Sequence, residues 1–289
     1  MISELCARGV LSVEESDGCL LGYRFSSELY EAYEVLDAAL LRVLPGEQPM
    51  TRHSCATLID RAVLNRIGFF DKLPSIPFEV TPHGTPLRTS GAWILSPSTC
   101  YNTFLQLSGD PGGAPPRLLT ARGRCHRHEP GDASAMRMSA FDMRELVLIG
   151  TAEEVVERAE EMLGRAETLI GALHPGIRVE RASDIFYGER SRATRKVQYA
   201  LGVKREIILP WPDGSAVAVG SRNLHRELFT EAFRIGLRPG SPPLHSACVA
   251  FGLERLLLSL LAVVPDHDPA VLIERLSAAS RLAPAGEPA

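Results

Sequence analysis

Residues 117–150 read RLLTARGRCHRHEPGDASAMRMSAFDMRELVLIG, and this stretch decides the fold. RLLTARGRCHRHE and AFDMRELVLIG read as two strands, joined by the polar, Gly- and Ser-containing stretch Pro130 to Ala135. The pattern predicts a hairpin of two substantial strands. Strand side chains alternate between faces, so Arg127 and Glu129 are expected to share one face, and Arg137, Phe141 and Glu145 one face of the partner strand. Guanidinium forks for phosphate, a ring for a base and a carboxylate to accept from an amino group make a surface suited to a nucleotide. A charged hairpin facing solvent is the equally available reading of this unit alone.

Downstream, Thr151 to Leu173 predicts a helix, with Thr151 as N-cap, Glu153 and Glu154 in the first turn, and Val155, Ala159, Met162 and Ile170 on one face. Pro175 and Gly176 end it. REIILPWP and SAVAVGS predict two more strands around Pro212-Asp213-Gly214, and CVAFGLERLLLSLLAVV a strand running into a buried helix. Upstream, SSELYEAYEVLDAALLRVL has helical spacing, with Ser26 or Ser27 as N-cap, preceded by an opening strand or loop. From Met50 to Tyr101, prolines at 74, 77, 82, 86 and 97 break the chain into short segments with FEV and AWIL as strands.

Hairpins dominate, helices are interspersed, and neither GxGxxG nor GxxxxGK[ST] occurs. The expectation is an α+β fold, an antiparallel sheet flanked by helices, rather than a Rossmann or P-loop domain. Three segments are expected: an N-terminal helical extension (1–48), one catalytic domain (49–276) and an Ala- and Pro-rich disordered tail (277–289).

No apolar run reaches the roughly 18 residues a spanning helix needs, and the N-terminus MISELCARGV lacks a signal-peptide core, so the cytoplasm is the expected compartment. A net charge of -4 without long basic runs argues against a broad nucleic-acid surface. Six scattered cysteines without a CxxC exclude a disulfide scaffold and a zinc ribbon; a metal site must be assembled from distant positions.

A second unit is Phe251-Gly-Leu-Glu-Arg255, entering the apolar helix. An arginine buried there needs an anion, either a structural carboxylate or a phosphate. Together the two units resemble motifs 2 and 3 of class II aminoacyl-tRNA synthetases: Arg-x-Glu, a loop, Arg-x3-Phe-x3-Glu, and later Gly-x-Glu-Arg entering a helix. The resemblance implies that Arg127 grips the α-phosphate of ATP, Glu129 sits near the adenine amino group, Phe141 stacks on the base and Arg255 holds the γ-phosphate end. Arg137 joins the ATP-binding set.

Cys100 in Leu-Ser-Pro-Ser-Thr-Cys-Tyr, Glu145 at the end of the second motif and Cys248 just before the third extend the likeness. From about Pro49 to Leu261 the chain resembles the zinc-dependent branch related to archaeal-type seryl-tRNA synthetases, and most closely the bacterial amino acid:[carrier protein] ligases. By that resemblance Cys100, Glu145 and Cys248 hold one Zn2+, whose open position takes the substrate amino group. Asp184-Ile-Phe-Tyr-Gly188, Gln198 and Lys204-Arg-Glu206 resemble segments around the ATP pocket, with Lys204 carried over to ATP. Val219, Gly220, Ser221 and Arg222 resemble the strand flooring that pocket, followed by Asn223 on the amino acid, and by His225.

The seryl branch carries a carboxylate for ATP-bound Mg2+ just before this strand, where Val217 and Ala218 stand here; Glu206 and Asp213 are the alternatives. Only 99 residues precede Cys100, with one modest helix, so a tRNA-gripping coiled-coil arm is not expected. The resemblance therefore implies activation of glycine or alanine with ATP and transfer to the phosphopantetheine thiol of a carrier protein, without tRNA. A catalytically degenerate relative acting as a binding or regulatory module, and a minimal tRNA synthetase, are the competing readings. A homodimer through Ile67-Gly-Phe-Phe-Asp-Lys-Leu-Pro74 is expected by the same likeness.

Overall fold

The computed structural model describes residues 1–84, 93–110, 116–128, 136–184, 191–236, 240 and 242–282. The chain opens with α1 (Ile2–Ala7), strands β1 (Leu11–Ser16) and β2 (Cys19–Phe25), and α2 (Ser27–Val43). Short elements follow: β3 (Met50–His53), β4 (Leu58–Asp60), α3 (Arg61–Arg66), α4 (Phe69–Lys72), β5 (Glu79–Val80), β6 (Trp93–Leu95) and α5 (Thr99–Gln106). Then come β7 (Arg117–His126), β8 (Ala140–Gly150), α6 (Ala152–Leu173), β9 (Arg178–Arg181), α7 (Ser191–Leu201), β10 (Lys204–Pro210) and β11 (Ala216–Arg226). The last elements are α8 (Leu228–Ala232), β12 (His245–Gly252), α9 (Leu253–Leu261) and α10 (Pro269–Leu282).

The expected hairpin is β7 on β8, antiparallel, with Ala121 opposite Glu145 and Cys125 opposite Phe141. It lies inside a sheet ordered β3-β7-β8-β12-β11-β10-β9. Each neighbouring pair is antiparallel except β3 on β7, so the antiparallel sheet carries one parallel edge strand. In a separate small sheet, ordered β4-β6-β5, the strand of the AWIL segment (β6) pairs with β4 on one side and with the strand of the FEV segment (β5) on the other. Strand β8 begins at Ala140, so Arg137 precedes the strand, is exposed, and does not share the strand face of Phe141 and Glu145.

Alternation in the central strands produces two cores. Leu146, Leu148, Ala247, Val249 and Phe251 point to one face, where α2, α6, α9 and α10 cover them. Leu119, Val147, Ile149, Cys248 and Ala250 point to the other, beside Phe104 of α5 and Phe229 of α8. Helix α6 starts in a reciprocal capping box: Glu154 N donates to Thr151 Oγ1 and Thr151 N donates to Glu154 Oε2. Such a cap stabilises a helix by about 1 kcal/mol. Its residues Val155, Ala159, Met162 and Ile170 are all buried, as the spacing requires.

The first 48 residues share the main core instead of standing apart from it: Leu29, Leu36 and Leu40 of α2 are fully covered. Where the sequence suggests an opening strand or loop, a short helix and a hairpin precede α2. That hairpin turns through Asp17 and Gly18, both at positive φ (50 and 73°), which is the Asp-Gly signature of a two-residue primed turn. At the other end, α10 continues to Leu282, past Ser277 where the tail is expected to start. Among the described residues no helix is long and apolar enough to cross a membrane.

Candidate active site

Cys100, Glu145 and Cys248, far apart in sequence, meet on the face of the sheet covered by α5. Cys100 lies in the first turn of α5, Glu145 on β8, and Cys248 on β12 opposite Val147 in register; all three are buried. Helix α5 begins where Ser98 is extended (φ -157°), and its start clamps the carboxylate. Ser98 Oγ donates to Glu145 Oε1 at 2.8 Å and Thr99 N to the same oxygen at 3.0 Å. The other oxygen, Oε2, is buried without a partner.

The mutual influence of Cys100 and Cys248 pushes the Cys100 thiol well above its usual range and pulls Cys248 well below. His225 Nε2, 3.3 Å from Cys248 Sγ, and Asn223 Nδ2, 3.6 Å away, reinforce the Cys248 shift. Burial first, and the charge of Cys248 second, raise Glu145 to about 7. A desolvated carboxyl oxygen beside two sulfurs is a donor set suited to zinc chemistry. As the side chains stand, no group of three His, Cys, Asp or Glu residues among the described residues is arranged to hold a metal ion.

Strand β11 separates the residues expected to floor an ATP pocket. Ser221 and Asn223 pair with Ala250 and Cys248 and face the site; Asn223 Nδ2 donates to Ser221 Oγ at 3.0 Å. Arg222 points to the opposite face, where Nη2 meets Glu160 of α6 at 2.6 Å and Nη1 donates to the carbonyls of Gly202 and Val203. Val219 belongs to the helix-side core, and a Cβ on Gly220 would approach the Phe251 ring to 2.7 Å. The period of two thus puts Arg222 on the helix side and Ser221 on the site face, while Val219, which has no partner on β10 where the register slips, breaks the alternation and joins the helix-side core.

At the open end of the hairpin, the Arg127 guanidinium lies 5.3 Å from the Phe141 ring centroid and that of Arg255 5.9 Å. Arg127 Nε donates to Pro97 O at 2.7 Å and Arg255 Nε to Met136 O at 2.6 Å. Two cations over one ring form an anionic-ligand platform. Glu129 and residues 185–188 lie outside the described residues. Lys204 Nζ bridges Asp184 Oδ1 (2.6 Å) and Glu206 Oε1 (3.0 Å), and Gln198 Nε2 donates to Asp184 Oδ2. Glu206 stands opposite Ser221 on β11, whereas Asp213 caps the next turn through Ser215 N.

Sequence reasoning missed Ser98 and Thr99; their position just before Cys100, at a helix start, was the available signal. It also gave Tyr101 no role, although burial holds its hydroxyl well above the usual range and the charges of Cys100, Arg127 and Asp184 act on it. Nor did it see that Glu254, within the third motif, accepts from Arg124 Nη1 (2.7 Å) and Asp142 N, while Tyr33 of α2 donates to Asp142 Oδ2 (2.6 Å).

The fold is that of class II aminoacyl-tRNA synthetase catalytic domains. M. kandleri SerRS, solved in complex with A. aeolicus tRNASec, superposes with a TM-score of 0.74 at 20% identity, covering 96% of this chain and 60% of that one. Giardia lamblia prolyl-tRNA synthetase in complex with prolyl-adenylate gives 0.69 at 14% identity, covering 90% of this chain and 51% of that one. In sequence, the chain is similar to amino acid–[acyl-carrier-protein] ligases 2 and 1 of Bradyrhizobium diazoefficiens. Each is 29% identical over 70% of this chain, and the match spans 66% and 68% of the respective ligase. Type-2 serine–tRNA ligase of Methanopyrus kandleri is 26% identical over 66% of this chain and 38% of its own length. No protein-family model matches the chain.

Proposed function

We propose that this chain activates a small amino acid, glycine or alanine, as its adenylate and passes it to the phosphopantetheine thiol of a carrier protein. The observation that carries the reading is the convergence of Cys100, Glu145 and Cys248 next to one another in a chain similar to two amino acid–[acyl-carrier-protein] ligases. The unpartnered Oε2 of Glu145 and the two sulfurs fit zinc, with a fourth position left for substrate. When bound, the metal supplies a Lewis-acidic seat for the amino group and so selects α-amino acids.

In this reading Arg127 grips the α-phosphate, Glu129 accepts from the adenine amino group, and Phe141 stacks on the base. Arg137, Arg255 and Lys204 bind the phosphate chain, and Ser221 and Asn223 line the floor toward the amino acid. The substrate carboxylate attacks the α-phosphorus in line, pyrophosphate leaves, and the guanidinium groups neutralise charge developing on the phosphoryl oxygens. Of the two carboxylates available for Mg2+ on ATP, Glu206 is the better placed, because Asp213 is committed to its turn. The protein acts in the cytoplasm as a homodimer paired through residues 67–74, and the carrier takes the place of tRNA.

ATP–pyrophosphate exchange with a panel of amino acids tests this. Exchange with glycine or alanine and not with larger residues is the expected result; silence across the panel with zinc-loaded protein contradicts it. A second reading, a binding module without turnover, is favoured by the lack of any carboxylate in β11, and it predicts nucleotide binding without exchange.

A further inference from the structure

Strand β11 does something at its C-terminal end that the regular pleat does not require. Leu224 pairs with Ala247 and Arg226 with Ser246, so His225 is an extra residue with no partner on β12. The residue after it, Arg226, adopts φ +55°, a left-handed conformation unfavourable for a side chain of that size. A bulge of this kind re-aims one side chain, and bulges recur beside active sites. Here it places His225 Nε2 3.3 Å from Cys248 Sγ. Two rings then hold the imidazole: Phe229 edge-on at 4.5 Å and 81°, and Phe104 at 6.1 Å and 87°. The bulge, the strained residue and the aromatic clamp all serve one contact, that of an imidazole nitrogen with one sulfur.

We infer that His225 is a positioning residue for Cys248, donating Nε2–H to its sulfur so that the sulfur points into the metal position. The inference rests on the zinc reading proposed above. A donor to a ligand sulfur fixes its direction and tunes the charge it offers, and loss of such outer partners costs about 10–100-fold in metal affinity. Asn223 Nδ2 is a longer donor to the same sulfur at 3.6 Å and is shared with Ser221 Oγ at 3.0 Å, so His225 makes the shorter of the two contacts.

Zinc(II) and cobalt(II) are titrated against a competing chelator into chelator-treated full chain, comparing wild type with His225→Phe and His225→Gln. Circular dichroism and thermal melting confirm that each variant is folded. His225→Phe is expected to bind both ions about 10–100-fold more weakly and to alter the sulfur-to-cobalt charge-transfer band, whereas His225→Gln, which keeps a donor, recovers most of the affinity. Unchanged affinity and spectrum in His225→Phe would overturn the inference. Equal loss in both variants would also overturn it, because ring packing and not the donor would then be responsible. If wild type binds neither ion, the zinc reading itself falls, an outcome distinct from either result.

Discussion

Arg144 on β8 and Asp37 on α2 form a buried fork: Nε reaches Oδ1 and Nη2 reaches Oδ2, each at 2.6 Å. Arg122, directly opposite Arg144 on β7, also contacts Asp37 at 3.0 Å and Glu34 at 2.9 Å. Helix α2 is thereby tied to the strand that carries Glu145. Replacing Asp37 by Asn strands the Arg144 cation in the interior, and the expected loss is about 3–5 kcal/mol in urea unfolding. The double variant Asp37→Leu/Arg144→Leu is expected to recover a substantial part of that loss. A loss under about 1 kcal/mol in Asp37→Asn would show the fork to be of the weak surface kind.

Glu254 gives a pH signature. Burial first, and the neighbouring Asp142 second, raise its carboxyl from 4.5 to about 7. Below pH 4.5 both folded and unfolded chains hold the proton, so the group is neutral with respect to stability. Between 4.5 and about 7 the unfolded chain releases its proton while the folded chain keeps it, so this residue's contribution falls as pH rises. Glu254→Gln removes that slope. Urea unfolding at pH 5 and pH 8 is expected to show wild type losing on the order of 1–3 kcal/mol relative to the variant. A pH-independent difference would contradict the assignment.

Arg222 and Lys204 are expected to separate cleanly. Arg222→Ala loses a buried cation that faces α6, so stability falls by about 1–3 kcal/mol while the KM for ATP stays within error of wild type. Lys204→Ala, on the site side next to Asp184 and Glu206, raises the KM for ATP at least several-fold. Pyrophosphate exchange at varied ATP measures both.

Metal content follows from the convergence of two thiols and one carboxylate. Elemental analysis of purified wild type is expected to give one zinc per chain, with Cys248→Ser and Cys100→Ser each retaining a small fraction. A chelator that strips the metal should abolish exchange, and added zinc should restore it. Wild type with no bound transition metal would contradict the reading.

The hairpin, the long helix and the entry to the last apolar helix were legible because each depends on local pattern: strand runs, a Thr-x-x-Glu cap, a Gly before a Leu-rich stretch. That Arg222 faces α6 is not legible in the sequence, because a linear likeness does not say which face a strand residue takes; only the register against β12 does. His225 went without a role for a related reason, since a bulge is a property of two strands and is invisible in one. The first 48 residues looked separable because the partner of Asp37 lies more than a hundred residues away. The meeting of Cys100, Glu145 and Cys248 comes from resemblance to a known family, never from spacing, since distances between them in sequence carry no information about a fold that joins two strands and a helix start.

The most direct measurement is the mass of a phosphopantetheinylated carrier protein after incubation with this chain, ATP, Mg2+, zinc and mixed amino acids. A mass increase equal to one glycyl or alanyl residue, reversed by hydroxylamine and absent without ATP, is the expected result. A carrier of unchanged mass, with tRNA charged in a parallel reaction or with ATP bound but never consumed, would contradict the account.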